Sequence, residues 1–212
     1  MVLSDKDIRK RLASLIELGV KNSLKEVLEL TKERKIPQVL KSALEKGKII
    51  IEPRLFSDDL IDRLGPVSLD LRLGDVLFDS SEDISVIDFS QPVGRLEGKK
   101  IILSPPPARP FILEPGQFIL GVTKETIMLP SDLMGIIIGR SQFARRGLSV
   151  QVGSFKFDPG FIGNAVLEIS NISKKPITLY SGLPICQIIF MVLSSPSERY
   201  FVIGGFLGQD AP

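Results

Sequence analysis

From Lys48 onward the chain is a succession of short apolar runs, each closed within a few residues by Gly, Pro, Asn or Asp. "KIIIEP", "VSLDLRLG", "KIILSP", "FILEPGQFILGVT", "LMGIIIG", "NAVLEIS", "KPITLYSG" and "ICQIIFMV" all follow this pattern. Runs this short, rich in Val, Ile and Phe and bounded by turn residues, read as strands rather than helices. They predict a mainly β fold, a sandwich, jelly roll or barrel, rather than alternating strand and helix units. In "AVLEISN" the two-residue period places Val166, Glu168 and Ser170 on one face and Ala165, Leu167 and Ile169 on the other. "SPPPARP" (Ser104–Pro110) reads as an extended connector. There is no clear internal repeat and no long low-complexity stretch.

The first 47 residues have a different texture. "SDKDIRKRLASLIELG" opens on a capping Ser4, carries Ile8, Leu12, Leu15 and Ile16 at helical spacing, and stops at Gly19. This predicts one amphipathic helix over Ser4–Gly19. "NSLKEVLELTKERK" predicts a second helix, capped by Asn22 or Ser23, with Leu24, Val27, Leu28 and Thr31 on one face. Pro37 ends it or begins a third helix, "PQVLKSALEKG". Basic residues outnumber acids here, which by itself describes a solvated face. Three short helices with apolar stripes cannot supply an independent core. They are therefore expected to pack on the β domain or across a subunit boundary.

Composition narrows the chemistry. The 212 residues contain no histidine and one cysteine. A general base near neutral pH must then be a carboxylate, a tuned lysine, a tyrosine or Cys186. A Ser-His-Asp triad is impossible, and zinc chemistry, which draws on several Cys and His ligands, is nearly excluded. Lysine plus arginine total 27 against 25 acidic residues, so the net charge of +2 argues against a general nucleic-acid binder. No apolar run approaches the roughly 20 residues of a membrane span, and the charged start "MVLSDKDIRK" lacks a signal-peptide core. With a single cysteine, the expected location is a reducing cytoplasm.

One region gathers polar groups between apolar runs. "GRSQFARRGL" (Gly139–Leu148) follows "MGIII" and so lies past a strand end. Gly139 permits unusual dihedrals, Arg140 and Arg145 offer guanidinium donors, and Ser141 adds a hydroxyl beside backbone N–H groups. That is a surface suited to a polyphosphate. Taken alone, the segment is first of all a surface turn with exposed arginines. "FDPGFIGN" is a tight turn through Pro159 and Gly160, where Asp158 either caps the turn or accepts from a ligand hydroxyl. Glu168 is either solvent-facing or, if its strand face lines a pocket, a candidate general base.

The order of these pieces, "GRSQFARRGL…FDPGFIGNAVLEISN…ICQIIF", closely resembles the dCTP deaminase branch of the dUTPase-like family. "LSDKDIRKRL", "GPVSLDLRLG", "FILEPGQFILGVTKETIMLPSDLMG" and "GGFLGQ" extend the likeness over most of the chain, apart from roughly 13–44, which looks inserted. Both branches share the Gly-Arg-Ser motif and the Asp turn. A glutamate ten residues after that aspartate, here Glu168, resembles the deaminases.

The resemblance implies a distorted jelly roll with an N-terminal helical elaboration: helical segment 1–47, β core 48–194, and a tail 195–212 closing on nucleotide. It implies hydrolytic deamination of dCTP to dUTP and ammonia by a cytoplasmic, zinc-independent enzyme. Glu168 is implied as base and proton shuttle, with Ser141 and Arg145 ordering the water and the cytosine. Arg140, Gln142 and the neighbouring backbone of Phe143 and Ala144 are implied as triphosphate contacts. Asp158 corresponds to the residue that holds the 3′-hydroxyl, and main-chain groups of Val166 and Leu167 to those that read the base. Tyr200 and Gln209 resemble tail residues over the phosphates. Mg2+ would arrive on the triphosphate, and dTTP is the candidate feedback inhibitor. A homotrimer with active sites between subunits is implied, with no nucleic-acid or membrane partner.

Three rival readings stand beside this one: a bifunctional enzyme giving dUMP and pyrophosphate, a plain dUTPase, and a catalytically silent nucleotide- or protein-binding relative. Lys156 stands where dual-function relatives tend to have a bulky apolar residue, and Gly205 where many relatives have a phosphate-binding lysine. Both features lead to the expectation that the reaction stops at dUTP.

Overall fold

The computed structural model describes residues 1–33, 35–53, 60, 62–80, 86, 90 and 98–198. The chain begins with α1 (Asp5–Arg11), β1 (Leu12–Ala13), α2 (Leu24–Lys32) and α3 (Gln38–Glu45). There follow β2 (Ile49–Glu52), β3 (Leu69–Asp79), β4 (Lys99–Ile102), β5 (Phe111–Leu113), β6 (Phe118–Met128) and β7 (Leu133–Gly139). After a four-residue helix, Ser141–Ala144, come β8 (Leu148–Val150), β9 (Lys156–Phe157), β10 (Ile162–Asn171), β11 (Ile177–Leu179) and β12 (Pro184–Val192). No described helix is long and apolar enough to cross a membrane.

The turn-bounded runs do pair as strands. The main sheet runs β1-β2-β6-β3-β12-β7-β9, with β10 on β6, β8 on β10 and β4 on β3; β5 and β11 form a separate pair. The two eleven-residue strands, β3 and β6, change partners along their length. Leu69–Arg72 lie beside β12, whereas Leu73–Phe78 lie beside β6. Where β3 leaves one partner for the other its register shifts, and a Cβ on Gly74 would meet the Val122 carbonyl oxygen at 2.9 Å. Only glycine lets the two backbones come this close. The result is the expected distorted jelly roll. Its core is one apolar cluster that includes Leu71, Leu77, Ile137, Leu167, Ile188 and Phe190.

The helical segment departs from the sequence expectation at one place. The predicted first helix ends at Arg11, not Gly19. Leu12 is extended (φ −62°, ψ 138°), and Leu12 and Ala13 pair in parallel with Ile49 and Ile50 of β2. The next residues are held by carboxylates: Ser14 N–H donates to Glu17 Oε2 at 2.8 Å and Leu15 N–H to Glu52 Oε1 at 2.6 Å. Pairing to a strand that arrives 37 residues later outweighs local helical periodicity, and Ile16, placed on the apolar stripe by that periodicity, is 75% exposed.

The other helices form as expected. In α2, Glu26 N–H donates to Ser23 Oγ and Ser23 N–H to Glu26 Oε2, a complete capping box. Pro37 opens α3. Leu15, Val27, Leu28, Leu40 and Leu44 close over Ile50, Met128 and Ile162, making a second apolar cluster on the β domain.

Candidate active site

β7 delivers the chain to the Gly-Arg-Ser motif. Gly139 is its last residue, and Arg140, in extended conformation, starts the short helix Ser141–Ala144 without a side-chain cap. Gly139 does not use the conformational freedom that glycine permits. It is not among the described glycines with positive φ, and an added Cβ would sit at an ordinary 3.8 Å from Val150. The glycine that the backbone requires is Gly147, eight residues on. Its φ is +86°, and a Cβ there would lie 2.5 Å from Ser173 Cβ.

Between these glycines, Ser141, Gln142, Ala144 and Arg145 are exposed, while Phe143 packs against the core and anchors the helix. Arg146 Nη1 donates to the Gln142 carbonyl at 2.7 Å and closes the helix end. The Arg140 guanidinium is held from behind: Nη2 lies 3.2 Å from Asp70 Oδ2, and Nη1 donates to the Pro184 carbonyl at 3.2 Å.

Glu168 lies on β10 with the predicted alternation: Ala165, Leu167 and Ile169 are buried, and Val166, Glu168 and Ser170 half-buried. The β8–β9 connection folds around its side chain. Glu168 Oε2 accepts from Gly153 N–H at 2.6 Å and from Ser154 N–H at 3.4 Å. Its main chain is held by Gln151, whose Oε1 accepts from Glu168 N–H at 2.9 Å and whose N–H donates to the Glu168 carbonyl at 2.8 Å. Gln151 adopts φ +65°, the described non-glycine residue in the left-handed region. β8 reaches only Ile169–Asn171 of β10, so among the described strands none covers the edge of β10 at Val166 and Leu167 away from β6.

Asp158 follows β9 and enters the predicted turn, with Gly160 at φ +77° and Phe161 N–H donating to the Asp158 carbonyl at 3.1 Å. Its exposed carboxylate forms an ion pair with Lys156 Nζ. Within one chain the described contacts link Arg140 with Asp70, Glu168 with the 151–154 loop, and Asp158 with Lys156, and none of them joins one group to another. Tyr200, Gln209 and Gly205 lie outside the described residues.

Sequence reasoning missed the most deeply buried charge among the described residues, Glu125 of β6, which is 0% exposed. Its Oε1 lies 2.8 Å from Arg63 Nη2 and 2.7 Å from Arg72 Nε, and its Oε2 accepts from Arg72 N–H at 2.8 Å. The available signal was the two-residue period, which places Glu125 on the same strand face as Ile119 and Ile127. Burial pushes the Cys186 thiol well up, and the nearby charges of Glu125 and Asp70 push it further. That removes Cys186 from the candidates for a base.

With this geometry in place, the comparisons with known proteins are specific. A family model described as dCTP deaminase-like matches residues 35–193. A relative from Dictyoglomus thermophilum, named "dCTP deaminase, dUMP-forming", is 43% identical over 162 residues, covering 75% of this chain and 80% of its own. One from Thermomicrobium roseum, named "dCTP deaminase", is 39% identical over 158 residues, covering 74% and 78%. Among solved structures, the 2′-deoxycytidine 5′-triphosphate deaminase of Agrobacterium tumefaciens superposes with a TM-score of 0.55 at 22% identity. That likeness covers 90% of this chain but only 46% of the other, and it bears on the fold alone. A match over most of the β domain, together with relatives above 30% identity, makes this chain a member of the dCTP deaminase-like family.

Proposed function

We propose that the protein hydrolyses the C4 amino group of dCTP and carries the nucleotide on to dUMP and pyrophosphate. The observation that carries the deaminase reading is Glu168, a carboxylate at the wet face of β10, oriented by the amides of Gly153 and Ser154 beside an uncovered strand edge. Glu168 takes a proton from water as the hydroxide adds to C4. The proton passes to N3, and a second transfer lets ammonia leave as the C4 carbonyl forms. Ser141 and Arg145, exposed on the short helix, order the water and the cytosine, and the open main chain at Val166 and Leu167 reads the base edge. Arg140, Gln142 and the Phe143 and Ala144 backbone receive the triphosphate, and Asp158 the 3′-hydroxyl.

Magnesium, in this reading, comes with the nucleotide. The nearby carboxylates are committed elsewhere: Asp158 to Lys156, Asp70 to Arg140, and Glu125 to two arginines. Phosphate and water oxygens suit that ion better than such a set. The site is completed by a second copy of the chain in a homotrimer. No described contact joins the three polar groups within one chain, and Val152 and Phe155, 58% and 51% exposed on the loop that holds Glu168, suit a covering surface.

The dUMP product is favoured over the dUTP end point expected from Lys156 and Gly205, because the relative at 43% identity carries the dUMP-forming name. The dUTP reading keeps one observation of its own: Lys156 occupies the Asp158 carboxylate. Incubation with dCTP and magnesium, followed by chromatography, decides between them. dUMP and pyrophosphate should appear at the rate of ammonia release, and accumulating dUTP would reverse the product assignment. Absence of ammonia would remove the deaminase reading altogether.

A further inference from the structure

Arg140 contacts the triphosphate in the proposed function, and a role for Asp70 rests on that assignment. We infer that Asp70 is the positioning residue for Arg140, and that the buried Glu125–Arg63–Arg72 cluster holds Asp70 in place to do so. The stretch "GPVSLDLRLG" by itself assigns no role to its charged residues. In the fold, Asp70 and Arg72 alternate with the buried Leu69, Leu71 and Leu73.

The local backbone needs such a clamp. The β3–β12 register shifts between Pro184 and Cys186, opposite Arg72 and Leu71, and Pro184 has no N–H to give to a ladder. The charged cluster ties β3 down at this irregularity. Arg63 Nε and Nη2 donate to the Asp70 carbonyl at 3.1 and 2.6 Å, and Arg63 Nη2 lies 2.8 Å from Glu125 Oε1. Two residues on, Glu125 Oε2 accepts from the Arg72 N–H at 2.8 Å. The main chain on either side of Leu71 is thereby pinned to one buried carboxylate.

From that fixed stretch the Asp70 carboxylate reaches Arg140 Nη2, and the bulged Pro184 carbonyl accepts from Nη1. The guanidinium is gripped at one edge by groups from β3 and β12, leaving its remaining donors for phosphate oxygens. A planar cation fixed this way needs no side-chain ordering when the anion arrives, so its contribution belongs to binding.

The test separates binding from chemistry. In folded Asp70→Asn protein, KM for dCTP should rise about ten-fold while kcat stays within about two-fold. Titration of inorganic tripolyphosphate by calorimetry should show a matching loss of affinity. In an Arg140→Ala background, Asp70→Asn should add nothing to either quantity, since the two residues act as one unit. If Asp70→Asn does not fold, Asp70→Ser is read in the same way. The inference is overturned by unchanged KM and tripolyphosphate affinity, by a fall in kcat at constant KM, by an equal loss in the Arg140→Ala background, or by a wild type that binds no tripolyphosphate. A wild type that binds tripolyphosphate but releases no ammonia from dCTP defeats the proposed reaction and leaves the tripolyphosphate comparison to decide the role of Asp70.

Discussion

Glu125 and Glu168 sit on two strands that pair with each other, and their surroundings are opposite. Glu125 is fully enclosed, its two oxygens taken by Arg63, Arg72 and the Arg72 amide. Glu168 is half-buried, and both of its backbone amide bonds fall on Oε2. A carboxylate matched by arginines in the interior is a structural part, because removing either side strands a buried charge. One held at a strand edge by main-chain amides has a set direction, and among the described hydrogen bonds these fall on one oxygen only. Two residues of one type, on adjacent strands of one sheet, thus differ in burial and bonding through their neighbours alone, and only the second is proposed for chemistry.

Exchanging the amide for the acid tests this division most strongly at Glu168. Glu168→Gln should cut ammonia release from dCTP by about 10²–10⁴-fold with its melting temperature nearly unchanged. A variant retaining near-normal turnover would remove Glu168 from the base role. Glu125 should show the reverse. Glu125→Ala leaves two arginines without their carboxylate and should lose about 3–5 kcal/mol in urea unfolding; a loss below about 1 kcal/mol would mean that the cluster is not what holds β3.

A glutamate that acts only locally marks the low end of the scale. Ser23→Ala breaks the reciprocal bond with Glu26 at the start of α2 and should cost about 0.5–2 kcal/mol, read in the same unfolding experiment. Because α2 covers the second apolar cluster, a zero effect there would mean that packing alone sets the helix start.

The smallest effect concerns Asp70 and pH. Burial raises its carboxyl above the ordinary value, against the opposing pull of Arg140 and Arg63, and Cys186 faces the same cluster as a neutral thiol. The folded protein therefore holds this proton more tightly than the unfolded chain does. Stability from the group is present below the ordinary carboxylate pKa and declines as pH rises toward the raised value. Asp70→Asn lacks that titration, so its melting temperature should gain on wild type between about pH 4 and the raised value. A constant difference across that range would contradict the sign.

Part of this was legible in the chain. The capping box at Ser23 and Glu26, the helix start at Pro37 and the alternation of β10 depend on neighbours a few residues away, and each formed as the residues predict. The Asp158–Gly160 turn is equally local, and its Gly160 takes the positive φ that the sequence leads one to expect. The candidate site was legible only as residue types in order: a cationic turn after one strand, a carboxylate on the half-buried face of another.

What lay beyond the sequence has a common physical cause. Leu12 and Ala13 left their helix because β2 offered them a ladder, and glycine at Gly147 is required by the closeness of Ser173. Nothing within "TKET" marks Glu125 as enclosed; Arg63 and Arg72, brought around it by the fold, do. The direction of Arg140 likewise exists only once Asp70 and Pro184 stand behind it. Periodicity, caps and turns are short-range free energies, and the amino-acid order alone determined them. Which carboxylate is enclosed, which is only half-buried, and which cation is paired are set by desolvation and charge pairing between distant segments, and these the tertiary structure alone decided.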